Sequence, residues 1–276
     1  TSYTVYDFIL VRNARQDRAF RIGVETTANV KAHLDTLIYQ TRENAMKFAG
    51  QLTKNDFSWT ELQKLLVLEV DKLDYITGLT VAFAPYSVEP EQGLKSLYYN
   101  KLKNKFINLE ELYDYTDASL ETATWYTQAR DSEAPIVTEP YFGEAAAELV
   151  FDYSIPVYRP NDQGKKELYC VISYTLAPDE FTEVINSLIQ GNSGYVYLTN
   201  NNGMIITHPN RSHLLKYRSL DFTYNDSHDE QVEEMLNAKS GSVNYVSPYT
   251  NVESIMFFDT VDLIEWKIAV VYSKTD

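Results

Sequence analysis

The chain has 276 residues, of which 24 are basic and 39 acidic, so its formal net charge is −15. A surface this acidic repels phosphate backbones and anionic lipid headgroups, which disfavours nucleic acid as a partner. Hydrophobic residues make up 44% and charged residues 23% of the chain, as in ordinary globular proteins. Cys170 is the only cysteine, which excludes an intrachain disulfide and a metal site built from several cysteines.

The sequence contains no apolar stretch of the roughly 18–20 residues that cross a bilayer. It begins with Thr1 and has no basic segment followed by an apolar one, the pattern of a secretory leader. We therefore expect a fragment of a longer protein, or a processed one. If the parent is anchored in a membrane, the anchoring helices lie outside this fragment.

The first zone of the chain is helical. Residues 14–52 contain no proline, and apolar residues recur there at steps of three and four. A helix this long needs support along its side, either from a second copy in a dimer or from its own domain. Both alternatives are open for the early part, and packing on its own domain is favoured for the later part. A second helix begins at Ser58, whose spacing to Glu61 is that of a capping box. Residues 76–83 then form a β-rich run.

The later elements repeat one plan. Strands are predicted at 149–158 and 167–176, joined by a hairpin loop at 161–164 and followed by a helix from Pro178 to near Gly191. A second series begins with a hairpin of strands 195–198 and 204–207 and continues with a helix at 229–238. Three more strands follow at 242–246, 254–260 and 266–272. The order predicts an α+β fold in which a long N-terminal helix precedes two similar units, each with a central antiparallel sheet.

The sequence contains no recognisable group of catalytic residues. The four histidines, at 33, 208, 213 and 228, lack metal-ligand spacing, and there is no nucleophile elbow, dinucleotide fingerprint or phosphate loop. We therefore expect a fragment without enzymatic activity, cofactor or metal.

Aromatic residues with polar tips are concentrated between 113 and 156, where regular-structure signals are few. Asp152 and Tyr153 lie on one strand and face opposite sides, and we favour Asp152 as the inward one. The alternative is that Trp125 and Tyr141 pin a long loop onto the sheet. The candidate ligand-binding residues are Tyr113, Trp125, Tyr126, Arg130, Tyr141, Asp152, Tyr153 and Tyr174, and the set expected to converge on one cavity is Trp125, Tyr126, Tyr141, Asp152 and Tyr153.

The order of several short motifs resembles that of double Cache (dCache) domains, in which two PAS-like modules follow a long helix. The motifs cover nearly the whole chain and lie at 76–85, 125–126, 139–142, 153–156, 194–198, 202–209 and 266–271. The resemblance implies a helical segment at 1–66, a membrane-distal, ligand-binding module at 67–192 and a membrane-proximal module at 193–276.

The resemblance also implies a function. Such domains are periplasmic or extracellular sensors between two transmembrane helices of an inner-membrane receptor, and the receptor is expected to be a homodimer. They bind a small polar metabolite and pass a signal to a cytoplasmic output domain, here expected to be a histidine kinase. The alternatives are a chemoreceptor, cyclase or phosphatase, or an interaction module without a ligand that senses a periplasmic protein.

Several positions depart from the amino-acid-binding members of the family. Those relatives carry an arginine two residues before the aromatic pair, where this chain has Ala123. They also carry an aspartate late in the last distal strand, where this chain has Ser173 and Tyr174. Gly143 replaces a frequent aspartate, and Arg130 could supply only a displaced cation. These departures disfavour an α-amino acid and favour a ligand that is neutral or positively charged.

Overall fold

The computed structural model describes residues 2–88, 91, 93–189, 194–214, 219 and 226–274. The chain divides into two compact units. One, here called the mid-chain unit, is Ile38–Phe181; the other, the terminal unit, combines Thr1–Leu37 with Thr182–Asp276. The division into 1–66, 67–192 and 193–276 stays a prediction. The compact units divide the N-terminal segment differently, since residues 1–37 belong to the terminal unit and residues 38–66 to the mid-chain unit.

Helix α1 (Ser2–Lys54) is longer than the predicted 14–52 and contributes to both units. Its apolar face is buried: Val30 and Leu34 are at most 1% exposed in the terminal unit, and Phe48 and Leu52 at most 2% in the mid-chain unit. This stretch of the helix therefore packs on its own chain, the second of the two alternatives. In the part of the chain that the structure describes, no helix combines the length and apolarity needed to cross a membrane.

Helix α2 (Trp59–Val70) begins as the sequence predicts. The Ser58 side chain accepts a hydrogen bond from the backbone N–H of Glu61, and the Ser58 N–H donates to Glu61 Oε2 at 2.8 Å. This reciprocal capping box satisfies two of the backbone groups that a helix start leaves unpaired. The helix turns Leu62, Leu66 and Val70 toward the interior.

The mid-chain unit is built on an antiparallel sheet. Its strands are β1 (Ile76–Phe83), β2 (Ser96–Asn100), β3 (Lys105–Ile107), β4 (Ile136–Val137), β5 (Tyr141–Gly143), β6 (Glu148–Pro160) and β7 (Lys166–Leu176). Within the described residues the order is β3-β2-β1-β7-β6-β4, with β5 paired to β6. All eight residues of β1 are buried, as expected for a central strand. A register shift opposite Val157 and Tyr158 marks a bulge in β7, where Tyr169 is the extra residue.

Strands β1, β6 and β7 were predicted from the sequence, but the shorter elements were not. Helix α3 (Thr124–Ser132) and strands β4 and β5 lie in the segment that was predicted to have little regular structure. In β2, Tyr98 packs against Gly78 of β1, where a Cβ would fall 2.5 Å from the Tyr98 ring. Glycine is therefore required at 78 to let this ring lie across the sheet.

The terminal unit has a second antiparallel sheet. Its elements after α4 (Pro178–Ser187) are β8 (Gly194–Thr199), β9 (Ile205–Thr207), α5 (Asp226–Asn237), β10 (Gly241–Val246), β11 (Glu253–Thr260) and β12 (Lys267–Ser273). The strand order among the described residues is β10-β11-β12-β8-β9. Each predicted strand of this region is present within one or two residues, and the predicted helix end near Gly191 lies outside the described residues. Two antiparallel sheets after a long helix confirm the predicted α+β class.

Candidate ligand-binding site

A cavity in the mid-chain unit lies between one face of the sheet and the segment that carries α3 and the β5–β6 turn. It encloses about 300 Å³, including its open mouth. Strands β1, β2, β6 and β7 supply polar and aromatic side chains, and the turn supplies small ones. The lining residues are Thr80, Tyr98, Leu109, Tyr113, Trp125, Tyr141, Gly143, Glu144, Ala145, Ala146, Val150, Asp152 and Thr175.

Asp152 is the buried charge-bearing group of this cavity, with 2% of its surface exposed. Its Oδ2 accepts a hydrogen bond from the Tyr141 hydroxyl at 2.5 Å, and its Oδ1 accepts one from Thr175 Oγ1 at 2.8 Å. Burial raises the pKa of Asp152 to about 6, although hydrogen bonds from Tyr141, Thr175 and Ser173 oppose the shift. The carboxylate is thus held in place by hydroxyl donors, while its charge has no cationic partner among them.

Two aromatic side chains form the opposite wall. Trp125, on the first turn of α3, donates from Nε1 to the Tyr113 hydroxyl at 3.2 Å. Burial raises the pKa of Tyr113 to about 12, so its hydroxyl stays protonated at neutral pH. This bond fixes the indole plane and leaves its ring in the cavity wall.

Tyr126 follows Trp125 but is absent from the described lining of the cavity. Its ring centroid lies 4.9 Å from that of Tyr115, and the Tyr115 hydroxyl lies 2.9 Å from the carbonyl oxygens of both Phe83 and Lys95, which share its proton. The Tyr115–Tyr126 pair thereby pins the α3 segment to the sheet. Residues 125–126 were predicted to lie in a strand or a loop, but they are helical. Their two side chains therefore leave α3 in directions about 100° apart.

Tyr153 and Tyr174 lie on the other face of the sheet from Asp152. Asp152 is opposite Thr175, and Tyr153 is opposite Tyr174, so the pleat sends the two pairs to opposite sides. Glu69 of α2 interacts with the Tyr174 hydroxyl there. Asp152 therefore has the orientation that alternation predicted, and the same alternation excludes Tyr153 and Tyr174 from the cavity.

Arg130 also lies away from the described lining. Its Nη1 donates to the Thr116 carbonyl at 3.1 Å, and its Nε pairs with Asp131 at 2.6 Å. The structure thus brings together four of the eight candidates, Tyr113, Trp125, Tyr141 and Asp152. The predicted convergence is corrected for Tyr126 and Tyr153, since one lies on a different helix side and the other on a different sheet face.

Several lining residues were not predicted from the sequence. Tyr98 was missed because its strand was not predicted, although the run Ser96–Asn100 is aromatic and bounded by polar residues. Thr175 could have been found from β6–β7 pairing, which sets it opposite Asp152. Glu144 follows β5 in a turn that no simple pattern indicates. Among the described lining residues two are acidic, Asp152 and Glu144, and none is basic.

A cation does reach the rim of the cavity. Lys103, in the turn between β2 and β3, donates from Nζ to the Ala146 carbonyl at 2.8 Å. This contact holds the β5–β6 turn rather than the cavity interior. Metal-ligating groups, by contrast, do not cluster in the described part of the chain: no three histidine, cysteine, aspartate or glutamate side chains are grouped there.

Residues 22–276 match the family model of the Cache domain, dCache_1. The match covers well over half of the chain, and the chain therefore belongs to the Cache domain family. It is a sensor domain of the kind that signalling receptors carry outside the cytoplasm.

Solved structures share the fold at low sequence identity. The extracellular domain of the histidine-kinase protein soHK1S-Z6 superposes with a TM-score of 0.76 at 17% identity, covering 94% of this chain and 95% of that one. The ligand-binding domain of the chemoreceptor PctB from Pseudomonas aeruginosa PAO1, in complex with L-Gln, has a TM-score of 0.60 at 19% identity, with coverage of 94% and 90%. These similarities show the fold alone.

A curated relative is similar over a shorter stretch. The methyl-accepting chemotaxis protein PscA of Pseudomonas syringae pv. tomato is 33% identical over 92 residues, which are 33% of this chain and 14% of PscA. The matched part is thus a small fraction of that relative's length.

Proposed function

We propose that this sensor domain binds a small polar ligand in the mid-chain cavity and that binding, not catalysis, is its activity. The observation that carries the proposal is Asp152, a buried carboxylate at the cavity wall whose described partners are neutral hydroxyls. A buried charge without a cationic partner is costly. A ligand that brings a positive charge or several hydrogen-bond donors would offset that cost.

The charge of the lining supports a neutral or cationic ligand. Asp152 and Glu144 are acidic, and the described lining contains no lysine or arginine. The rings of Trp125, Tyr113, Tyr141 and Tyr98 add negative ring faces, which attract cations. A ligand with a free carboxylate would meet repulsion here. The PctB complex with L-Gln shows that this fold accepts an amino acid, but Ala123 removes the guanidinium expected to clamp a carboxylate in this chain.

The test is a thermal-shift panel on the 276-residue chain. It would compare primary amines and amino alcohols with α-amino acids, including L-glutamine. At a concentration of 100 times its Kd, a ligand stabilises the folded state by about 2.7 kcal/mol. We expect Asp152→Asn to remove this stabilisation. Asp162→Asn, in the exposed hairpin loop, is the matched control and should retain it.

Either of two results would count against this proposal. Stabilisation by an α-amino acid and not by amines would overturn the ligand charge. A ligand bound equally well by Asp152→Asn and by the unchanged chain would overturn the role of Asp152. A panel without any stabilising compound would instead favour the interaction module as the alternative.

We further propose that the intact receptor is a homodimer held in the membrane by helices outside this chain, with a histidine kinase or a chemotaxis signalling domain as output. The support is the solvent-facing side of α1. Val24, Tyr39 and Met46 are 49%, 55% and 51% exposed, and at 100° per residue they lie within about 60° of one another around the helix. Exposed apolar side chains aligned in this way suit a second copy.

On this proposal the chain studied by itself should associate weakly, because the anchoring helices of the intact receptor would no longer raise its effective concentration. Sedimentation velocity over a range of concentrations should show a fast monomer–dimer exchange that Val24→Asp with Met46→Asp abolishes. Leu102→Asp, an exposed leucine outside α1, should leave the exchange unchanged. A dimer that survives the double substitution would place the interface elsewhere.

A further inference from the structure

The terminal unit contains a cavity of its own. It encloses about 320 Å³, including its open side. Strand β8, the segment after β9 and the β10–β11 turn supply its walls. The described lining consists of Tyr195, Tyr197, Ile205, His208, His213, Ser219, Tyr245, Pro248 and Tyr249. No acidic or permanently charged side chain is among these residues.

Aromatic rings dominate this wall and touch one another. His208 lies at their centre, with ring centroids 5.7 Å from Tyr195, 5.0 Å from Tyr249 and 4.6 Å from His213. Tyr195 and Tyr249 also meet edge to face at 5.2 Å. Interlocked rings of this kind have few alternative rotamers, so they form a prearranged aromatic box.

Hydrogen bonds outside the rings hold the box in shape. Ser247 Oγ lies 2.7 Å from the Tyr195 hydroxyl and accepts from the Thr250 N–H at 3.2 Å. The Asn251 N–H donates to the Ser247 carbonyl at 2.7 Å, which closes the turn that carries Tyr249. Tyr249 itself is 42% exposed, so it stands at the mouth of the cavity.

Burial favours the neutral form of both histidines. The Asn210 N–H donates to His208 Nδ1 at 2.9 Å, which leaves the ring proton on Nε2. Desolvation and the neighbouring His213 lower the pKa of His208 to about 4, and burial lowers the pKa of His213 as well. The described part of the wall therefore presents aromatic rings without a competing cation.

We propose that this aromatic box is a second binding site, which takes a small quaternary ammonium head group. A quaternary nitrogen has no N–H and needs no acceptor. This suits a wall whose described residues include no carboxylate, and ring faces stabilise the charge of the nitrogen. The net charge of −15 on the chain raises the local concentration of such cations. The site is independent of Asp152 and of the proposed ligand in the mid-chain unit.

Choline is the probe, and its neutral carbon isostere 3,3-dimethylbutan-1-ol is the matched control. The two have the same shape and differ in charge, so a cation–π site should bind choline at least about tenfold more tightly. Isothermal titration of the 276-residue chain measures both. Equal affinities would show an apolar cavity and overturn the proposal, as would the absence of choline binding.

Variants at Tyr249 locate the site. Tyr249→Leu, which removes one ring face at the mouth, should weaken choline binding several-fold, while Tyr249→Phe should retain it. Tyr86→Leu, at a tyrosine that is 65% exposed and belongs to neither described cavity lining, controls for loss of an exposed tyrosine. Loss of choline binding in Asp152→Asn together with normal binding in Tyr249→Leu would place the cation in the mid-chain cavity and overturn the inference.

Discussion

Replacing Phe151 by alanine is expected to lower the free energy of unfolding by about 3–5 kcal/mol. Phe151 has no exposed surface, and its ring meets that of Phe181 edge to face at 5.2 Å and 84°. Removal of the ring leaves a void in a close-packed interior and deletes the aromatic contact. Urea denaturation followed by circular dichroism measures the change as a lower midpoint at constant slope.

Phe142→Ala is the matched control because the same substitution is made on the neighbouring strand β5. The Phe142 side chain is 60% exposed, so little apolar surface is buried there. We expect a loss below about 1 kcal/mol. Similar losses at the two sites would mean that β6 does not hold Phe151 in the interior, and the register that orients Asp152 would then be wrong.

Acidification should stabilise the chain through Asp152. The folded-state pKa of this carboxyl is raised from 3.8 to about 6, so between these values the folded state binds a proton that the unfolded state does not. Stability from this group is therefore present at low pH and is lost as the pH rises from about 4 to 6, amounting to about 3 kcal/mol in all.

The Asp152→Asn variant isolates this contribution. Other carboxyl groups change stability with pH too, but they do so in both proteins. The difference in unfolding free energy between the unchanged chain and the variant should move by about 1.4 kcal/mol per pH unit between pH 6 and 4, in favour of the unchanged chain on the acid side. A difference that stays constant from pH 7.5 to 4 would show that Asp152 is not desolvated.

The fold was predictable where periodicity is strong. The face of α1 from Val30 to Leu52, the Ser58–Glu61 cap and the long strands β6 and β7 were legible because each pattern runs over many residues or involves a specific side-chain pairing. Strands β3, β4 and β5 have only two or three residues, which is too short for any period to show. Tertiary pairing alone determines them.

Only part of the candidate site could be predicted from the sequence, for a related reason. Asp152 followed from strand alternation once β6 had been located. The sequence did not show which of Trp125 and Tyr126 faces the cavity. The directions of two adjacent side chains depend on whether the segment is helical, and no helix was predicted at 124–132. Tyr98 and Thr175 enter the cavity through pairing of distant strands.

The bulge at Tyr169 of β7, opposite Val157 and Tyr158, has an evolutionary consequence. Inserting one residue into β6 between Asp152 and Val157 would shift the register and turn Asp152 to the sheet face on which Tyr153 now lies. An extra residue at the bulge or in the loop before Lys166 leaves the pairing of Asp152 with Thr175 as it is. Descendants of this domain can therefore change ligand by substitution at Asp152 and at its partner Thr175, while changes in length are tolerated beyond Val157.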